Sequence, residues 1–423
     1  MNRSAIERTI EAVWHMESAK IIAKLARMLR NVGLAEEIAQ DTWVAALEQW
    51  TRTGLPDNPG AWLMATAKNR AIDQLRRQQL AQRKSHMVTH DPDLLGGSDV
   101  GADESDSIAD DLLRLMFVAC HPVLSMEGRV ALTLRLLGGL TAAEIARAFL
   151  TSESAIQQRI VRAKRTLGEA RVPFEVPGAA ERAARLASVL EVIYLIFNEG
   201  YAATAGEDWM RPALCQDALR LGRILAEIDP TAPEVHGLVA LMELQASRTP
   251  ARVGPSGQPI LLLRQNRTLW DQLLIRRGLA ALARAESFDG PLGPYTLQGA
   301  IAACHARAGT AEETDWPRIV ALYDALDEVQ PSPIVTLNRA VAVSMAYGPA
   351  AALEIVDALR NESRLRDYHL LPSVRGDLLE RLGRLEEAHA EFSHAASLAS
   401  NERERHLLFE RMAACDPHAA RIN

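Results

Sequence analysis

Apolar residues recur at three- and four-residue steps along almost the whole chain, which is the period of an amphipathic helix. The clearest example is the stretch 141–167, TAAEIARAFLTSESAIQQRIVRAKRTL. Its first half has a short apolar face, made by Ile145, Ala146 and Phe149. Its second half has a longer apolar stripe, made by Ile156, Ile160, Ala163 and Leu167. No strand-like alternation extends beyond a few residues, so the sequence predicts an all-α fold.

The ends of these two helices can also be predicted. Thr141 and Glu144 have the spacing of a capping box, in which a hydroxyl and a carboxylate each satisfy a free backbone N–H group. Residues 150–152 break the first helix, and Ser152 or Thr151 can cap a second helix that begins at Glu153. We therefore expect a short helix, a tight turn and a longer second helix.

The second helix is predicted to carry amide and guanidinium groups on its outer face. Opposite the apolar stripe lie Ser154, Gln157, Gln158, Val161, Arg162 and Arg165. Gln can form two hydrogen bonds with adenine, Arg can do the same with guanine, and the other cations can contact phosphates. A helix-turn-helix places such a helix in the major groove of DNA. The stretch therefore predicts DNA binding.

Residues 59–77, PGAWLMATAKNRAIDQLRR, predict another amphipathic helix, with Pro59 at its start. Its predicted core stripe consists of Met64, Ala65, Ala71, Ile72 and Leu75. Its opposite side is predicted to contain Trp62, Thr66, Asn69, Arg70, Asp73 and Arg77. A Trp on a polar face has two explanations, which both stay open. It stacks on an unpaired base, or it packs under the loop from Trp50 to Pro59.

Upstream, residues 35–50 predict a helix with an apolar face and an acidic shoulder. The apolar face contains Ile38, Thr42, Ala45 and Ala46, with Trp43, Leu47 and Trp50 alongside. The shoulder contains Glu36, Glu37, Gln40 and Asp41. Acidic groups repel a phosphate backbone, so this shoulder favours a protein partner. An ordinary solvated helix face is the alternative.

The net charge of −7 conceals an uneven distribution of charge. Residues 62–84 contain six Lys or Arg and one acid, whereas residues 85–111 contain eight acids and no Lys or Arg. Residues 153–171 contain five basic residues and two acids. Two separated basic segments are typical of two nucleic-acid contacts. The Gly-, Asp- and Ser-rich stretch between them has little to bury, so we expect residues 85–109 to form an acidic linker.

The amino-acid composition gives further expectations about the fold, the location and the chemistry of the protein. Of the 423 residues, 48% are hydrophobic and only 5% aromatic, a mixture that favours helices. We expect a cytoplasmic protein without membrane contact, because the chain has no secretion signal and no uncharged apolar stretch of about 18 residues. The four cysteines are far apart, which favours lone buried thiols. The absence of catalytic and cofactor-binding motifs predicts no enzyme, no cofactor and no metal site.

Together these segments resemble bacterial RNA polymerase sigma factors of the extracytoplasmic-function (ECF) type, over residues 1–171. AEEIAQDTWVAAL resembles the helix that docks on the clamp helices of the polymerase. AWLMATAKNRAIDQLRR resembles the helix that melts and reads the −10 element. LTAAEIARAFLTSESAIQQRIVRAKRTL resembles the helix-turn-helix that reads the −35 element. In this family the acidic linker lies in the polymerase channel meant for RNA.

The resemblance implies three sets of contact residues. Contact with core RNA polymerase is expected at Glu37, Gln40, Asp41 and Trp43. Contact with the −10 element is expected at Trp62, Thr66, Asn69, Arg70, Asp73, Arg76 and Arg77. Contact with the −35 element is expected at Ser154, Gln157, Gln158, Arg159, Arg162 and Arg165.

A long helical extension follows the break at PFEVPG. Its segments FNEGY, QNRTLWDQLLI, GPYTLQGAIAACHA and PSPIVTLNRAVAV resemble a subgroup of ECF sigma factors that carries such an extension. Positions typical of a tetratricopeptide repeat are occupied by Gly376, Leu379, Gly383, Ala388, Phe392 and Ala395. A degenerate earlier copy is suggested by Ala340, Gly348, Ala351 and Ala352. For the polar cluster at residues 266–271, a hydrogen-bonded helix start is the favoured interpretation.

The predicted architecture has four parts: a region-two-like domain (1–84), the acidic linker (85–109), a region-four-like helix-turn-helix domain (110–171) and a C-terminal helical, repeat-like regulatory domain (178–423). We expect a sigma factor that binds core RNA polymerase and promoter DNA, with a regulatory protein or ligand as partner of the last domain. Two other functions stay open. One is a stand-alone activator that binds duplex DNA and senses a signal through its repeats, and the other is a scaffold in which the repeats are the main function.

Overall fold

The computed structural model describes residues 3–85, 104–149, 151–203, 209–255 and 257–416. These residues form helices joined by turns, with an isolated antiparallel bridge between Val253 and Pro259. The predicted all-α fold is therefore confirmed. The chain divides into two compact units, Met1–Val192 and Ile193–Asn423.

The first unit contains two groups of helices that pack on one another. The first group is α1 (Arg3–Leu29), α2 (Val32–Thr53) and α3 (Pro59–Ser85). The second group is α4 (Glu104–Ala119), α5 (Met126–Thr133), a π-helical segment (Leu134–Gly138), α6 (Ala142–Ala148) and α7 (Glu153–Glu169). Helix α1 packs on α2 and α3 and also on α4 and the π-helical segment. The two predicted DNA-binding domains thus lie in one compact body.

Most of the predicted acidic linker falls outside the described residues. Residues 86–103 of the predicted 85–109 linker belong to that part, and α4 begins at Glu104. The last six residues of the predicted linker are therefore helical. Composition did not predict this helical start, because the first residues of α4, ESDS, are as polar as the stretch before them.

The start of the second unit differs from the prediction of residue 178. Helix α8 (Ala179–Tyr201) crosses the division at residue 192, and its first half belongs to the first unit. Arg185 donates a hydrogen bond to the carbonyl of Phe117 (2.8 Å), and Ser188 donates one to the carbonyl of Cys120 (2.7 Å). These bonds hold the start of α8 on the end of α4, a tertiary contact that the break at PFEVPG did not reveal.

The second unit continues as a series of helices in which neighbours along the chain pack together. They are α9 (Pro212–Ile228), α10 (Pro233–Ala246), α11 (Gln272–Glu286), α12 (Pro294–Arg307), α13 (Trp316–Val329), α14 (Pro333–Tyr347), α15 (Pro349–Ala358), α16 (Leu370–Arg381), α17 (Leu385–Leu398) and α18 (Glu402–Ala414). Six of them begin with a proline in the first turn, where its missing N–H is not needed.

The repeat-like positions lie where α16 and α17 cross. Gly376 faces the ring of Phe392 so closely that a Cβ there would lie 2.8 Å from the ring. Phe392 is fully buried, and Gly383 turns the chain between the helices with φ of +76°. In the suggested earlier copy, Ala340 and Ala352 are buried as expected. Ala351 is exposed, so its assignment as a small crossing residue was wrong; one step along a helix turns a side chain away from the contact.

The polar cluster at residues 266–271 caps two helical segments, as the favoured interpretation stated. Asn266 accepts a hydrogen bond from the N–H of Thr268, and Asp271 accepts two from the first turn of α11. All four cysteines are buried, as predicted, and burial raises the pKa of the Cys120 thiol to about 11. Among the described residues, no helix is long and apolar enough to cross a membrane.

Candidate nucleic-acid interface

The predicted helix-turn-helix is formed by α6 and α7. The capping box is present: Thr141 accepts a hydrogen bond from the N–H of Glu144 (3.2 Å), and the Glu144 carboxylate accepts one from the N–H of Thr141 (2.7 Å). Ser152 caps α7 by accepting a hydrogen bond from the N–H of Ala155 (3.2 Å). The predicted apolar stripe is buried throughout, at Ile156, Ile160, Ala163 and Leu167. Leu150, in the predicted break, lies outside the described residues.

The opposite face of α7 is exposed, as the sequence predicts. Its exposed side chains are Ser154, Gln157, Gln158, Val161, Arg162 and Arg165, and Arg159 is half-buried. The polar groups contact each other along the helix, since Arg162 lies 3.5 Å from the Gln158 side-chain oxygen and Gln157 donates to Glu153 at 3.0 Å. These hydrogen bonds join exposed side chains of the same helix. The amides and guanidinium groups can therefore exchange them for hydrogen bonds to the edges of DNA bases.

The buried stripe of α3 differs from the prediction. The structure buries Leu63, Ala67 and Ala71, at four-residue steps, against α1 and α2. Of the predicted core residues, Ala71 is buried, Met64 and Leu75 are half-buried, and Ala65 and Ile72 are exposed. Of the five predicted core residues, Ala71 was therefore right, and Met64 and Ile72 were each one position away from a buried residue. The error arose because α3 packs on both α1 and α2, and the face that meets both helices is not specified by the period of α3 alone.

Trp62 lies beside the buried stripe of α3 and packs on Trp50. The two ring centroids are 5.1 Å apart in an edge-to-face arrangement, and Trp50 is 1% exposed while Trp62 is half-buried. The explanation in which Trp62 packs near the loop from Trp50 to Pro59 thus has structural support. Trp62 is only half-buried, so the explanation in which it stacks on an unpaired base also stays open.

The other residues predicted to contact the −10 element share the outer surface of α3. Asn69, Asp73, Arg76 and Arg77 are exposed, whereas Thr66 and Arg70 are half-buried. Asp73 lies 3.7 Å from Arg76. Arg70 lies 4.0 Å from Asp41 of α2, so the predicted −10 surface borders the predicted polymerase surface.

The acidic shoulder of α2 contains fewer exposed groups than predicted. Glu37 and Asp41 are exposed, and Gln40 is half-buried. Trp43 is half-buried, and its ring stacks on Trp14 of α1 at 5.6 Å. Glu36 was wrongly placed on the shoulder, because its side chain is only 4% exposed.

Glu36 instead bonds to the second group of helices. Its carboxylate accepts a hydrogen bond from Arg135 of the π-helical segment (2.7 Å) and is paired with Lys164 of α7. Gln40 donates to the same carboxylate. The sequence analysis missed this cluster, although one signal was present: Arg135 stands alone in the apolar run ALTLRLLGG, and a cation in such a run requires a buried partner.

Three family models match the chain. Sigma-70 region 2 matches residues 15–81, and Sigma-70, region 4 matches residues 114–167. A family of unknown function, DUF6596, matches residues 185–286. The first match lies within α1–α3 and the second within α4–α7, the two groups of helices that carry the candidate interface.

Relatives extend the likeness to nearly the whole chain. An uncharacterized protein of Rhizobium meliloti (strain 1021) is 46% identical over 384 residues, which are 90% of this chain and 89% of that protein. The ECF RNA polymerase sigma factor SigK of Mycobacterium ulcerans (strain Agy99) is 35% identical over 153 residues, covering 35% of this chain and 78% of SigK. The probable ECF sigma factor SigI of Mycobacterium tuberculosis (strain H37Rv) is 24% identical over 176 residues. With both sigma-70 regions present, this chain belongs to the ECF RNA polymerase sigma factor family.

Proposed function

We propose that this protein binds core RNA polymerase, recognises promoters and directs the initiation of transcription, while the polymerase performs the phosphoryl chemistry. The observation that carries the proposal is the face of α7. Six outward side chains, five of them polar, are exposed on a helix whose other face is fully buried against α5 and α6. A recognition helix needs this combination of a fixed position and free hydrogen-bonding groups.

We assign −35 recognition to that face. In this assignment Gln157, Gln158 and Arg162 contact base edges, and Ser154, Arg159 and Arg165 contact phosphates or flanking bases; the exposure of five of these six side chains supports it. Arg165 pairs with Glu169 at 3.5 Å, both groups being exposed, so this ion pair costs little to exchange for a phosphate.

We assign −10 recognition to α3 and polymerase contact to α2. Asn69, Arg76 and Arg77 supply exposed polar groups, and the open part of Trp62 supplies a surface for stacking. Glu37 and Asp41 supply exposed carboxylates that suit a basic protein surface. The remaining members of these two surfaces, which are half-buried or paired, are Thr66, Arg70, Asp73, Gln40 and Trp43.

The test is transcription in vitro with purified full-length protein, core RNA polymerase and a promoter library, without another sigma factor. We expect transcripts from a subset of promoters that share −10 and −35 sequences. The double variant Gln158→Ala/Arg162→Ala should change the selected −35 sequence. Arg276→Ala, an exposed arginine on α11 that belongs to no proposed surface, is the matched control and should not change it. Absence of binding to core polymerase would contradict the proposal and favour a stand-alone activator.

We further propose that the second unit controls this activity. Its helices pack as successive pairs, an architecture that offers long surfaces to protein or peptide partners. A groove of about 700 Å³ is lined by α14, α16, α18 and the loop at Leu261–Arg264. The crossing of α16 and α17 at Gly376 supports a relationship to tetratricopeptide repeats in this part of the chain.

Truncation tests this control, and the structure determines where to cut. A truncation after Arg171 also removes Arg185 and Ser188, which hold the start of α8 on α4. A truncation after Val192 keeps them. Lost transcription in the protein truncated after Val192 would support a required module, and increased transcription in it would support an inhibitory one. Transcription lost only in the protein truncated after Arg171 would report the missing contacts between α8 and α4 instead. Transcription equal to that of the full chain would contradict control by the second unit.

A further inference from the structure

One apolar side chain interrupts the exposed polar face of α7. Val161 is 64% exposed, whereas its neighbour Ile160 is 6% exposed and belongs to the buried stripe. Successive residues of a helix are about 100° apart, so Gln157 lies about 40° to one side of Val161 and Arg165 about 40° to the other. Val161 therefore lies within the face that we assign to the −35 element, and not at its edge.

The polar neighbours of Val161 bond along the helix and leave its side chain uncovered. Gln157 donates a hydrogen bond to Glu153, one turn towards the start of α7, at 3.0 Å. Arg165 pairs with Glu169, one turn towards the end of α7, at 3.5 Å. Because these two pairs extend in opposite directions, the isopropyl group of Val161 is exposed between them.

The methyl groups of Val161 have a well-defined position. The opposite side of α7 is buried at Ile156, Ile160, Ala163 and Leu167, and the helix packs on α5 and α6. Valine in a helix strongly prefers one χ1 rotamer, because two carbon atoms branch from its Cβ. A fixed helix and one preferred rotamer together present two methyl groups at a single point on the outer face of α7.

A valine side chain can recognise only an apolar feature of DNA, because it neither donates nor accepts a hydrogen bond. Of the four bases, thymine alone presents a methyl group in the major groove, at C5. Against the hydrogen-bonding edge of another base, Val161 would displace water without replacing the hydrogen bonds that the water made. The chemistry of this position therefore favours thymine.

We propose that Val161 contacts the C5-methyl group of a thymine in the −35 element, and that this contact selects a T·A pair at one position of the promoter. The inference rests on the proposed function, because α7 must lie in the major groove. It adds an apolar contact to the hydrogen bonds assigned to Gln157, Gln158 and Arg162. Burial of one methyl group strengthens binding about fourfold, so loss of the thymine methyl should weaken promoter binding by about that factor.

The experiment removes a methyl group from the DNA and shortens the side chain of the protein, separately and together. Promoter duplexes selected by the full-length protein with core polymerase are made with one thymine of the −35 element, on either strand, replaced by deoxyuridine. Uracil keeps every hydrogen-bonding group of thymine and lacks only the methyl group. Dissociation constants of the wild-type and Val161→Ala holoenzymes then form a double-mutant cycle at each position. Val123→Ala, which shortens an exposed valine before α5, is the matched control.

We expect one −35 position at which uracil weakens binding about fourfold for the wild type and for Val123→Ala. At the same position, uracil should leave the affinity of the Val161→Ala holoenzyme nearly unchanged. Val161→Ala should fold as the wild type does, because the side chain is exposed and alanine is the better helix former, and an unchanged Tm verifies this.

Three outcomes would overturn the inference: a selected −35 element without a T·A pair, no position at which uracil weakens wild-type binding, or equal uracil effects in the wild type and Val161→Ala. Failure of the wild-type holoenzyme to bind any promoter would contradict the proposed function as well. Selective promoter binding without an effect of the methyl group would contradict this inference alone.

Discussion

The substitution Trp62→Ala distinguishes two roles of this side chain. One is packing on Trp50 in the folded protein, and the other is stacking on an unpaired base of promoter DNA. Trp62→Ala removes an edge-to-face contact with Trp50, at a centroid distance of 5.1 Å. Such aromatic pairs contribute about 0.5–1.5 kcal/mol beyond the burial of area. For a unit of this size, 1 kcal/mol corresponds to a lowering of Tm by roughly 2–4 °C. Stacking on one unpaired base is worth about 1–3 kcal/mol, so its loss should weaken binding to single-stranded −10 DNA by roughly 5- to 150-fold.

The assay therefore needs two readouts and two variants. Thermal unfolding reports the loss of packing, and binding of a single-stranded −10 oligonucleotide to the holoenzyme reports the loss of stacking. Trp62→Phe retains an aromatic ring on Trp50 and should keep most of both quantities. Permanganate reactivity of thymines in duplex promoter should fall with Trp62→Ala. If the folded Trp62→Ala protein binds the oligonucleotide and opens duplex promoter as the wild type does, Trp62 has only a packing role.

Three further predictions concern other parts of the chain. Gln158→Ala and Arg162→Ala should each relax specificity at one or two base pairs of the −35 element by about 1–3 kcal/mol with unchanged Tm, and an unchanged preference profile would exclude this face of α7. Burial beside two arginines lowers the pKa of His305 to about 3, so the folded state keeps it neutral. The free energy of unfolding therefore keeps the full contribution of neutral His305 above about pH 6.5, and this contribution declines by about 1.4 kcal/mol per pH unit toward pH 3. Chemical unfolding at pH 7 and pH 5 should show this decline in the free energy of unfolding, and His305→Phe should reduce it. Gly376→Ala should destabilise the crossing of α16 and α17 by about 1–3 kcal/mol, because its Cβ would lie 2.8 Å from the Phe392 ring, and a wild-type unfolding midpoint would contradict this close approach.

Much of the candidate interface could be predicted from the sequence alone. The helix-turn-helix was predictable in detail, because its signals are local: a capping box at Thr141, a capping serine at Ser152, and an apolar stripe with a strict helical period. A helix that packs on one side only, as α7 does, has a burial pattern that its own sequence determines. The exposed face that we assign to the −35 element follows from the same pattern.

Tertiary packing decided the features that depend on residues far apart in the chain. The burial of Leu63, Ala67 and Ala71 follows from the two helices that enclose α3, which no pattern within α3 specifies. Glu36 has the same local context as its exposed neighbour Glu37, yet it is buried because Arg135 and Lys164 reach it from 99 and 128 residues along the chain. The helical period of a sequence predicts which side chains share a face of a helix. The tertiary structure determines which other helices each face packs against. Charge pairs of high sequence separation are therefore visible only in the tertiary structure.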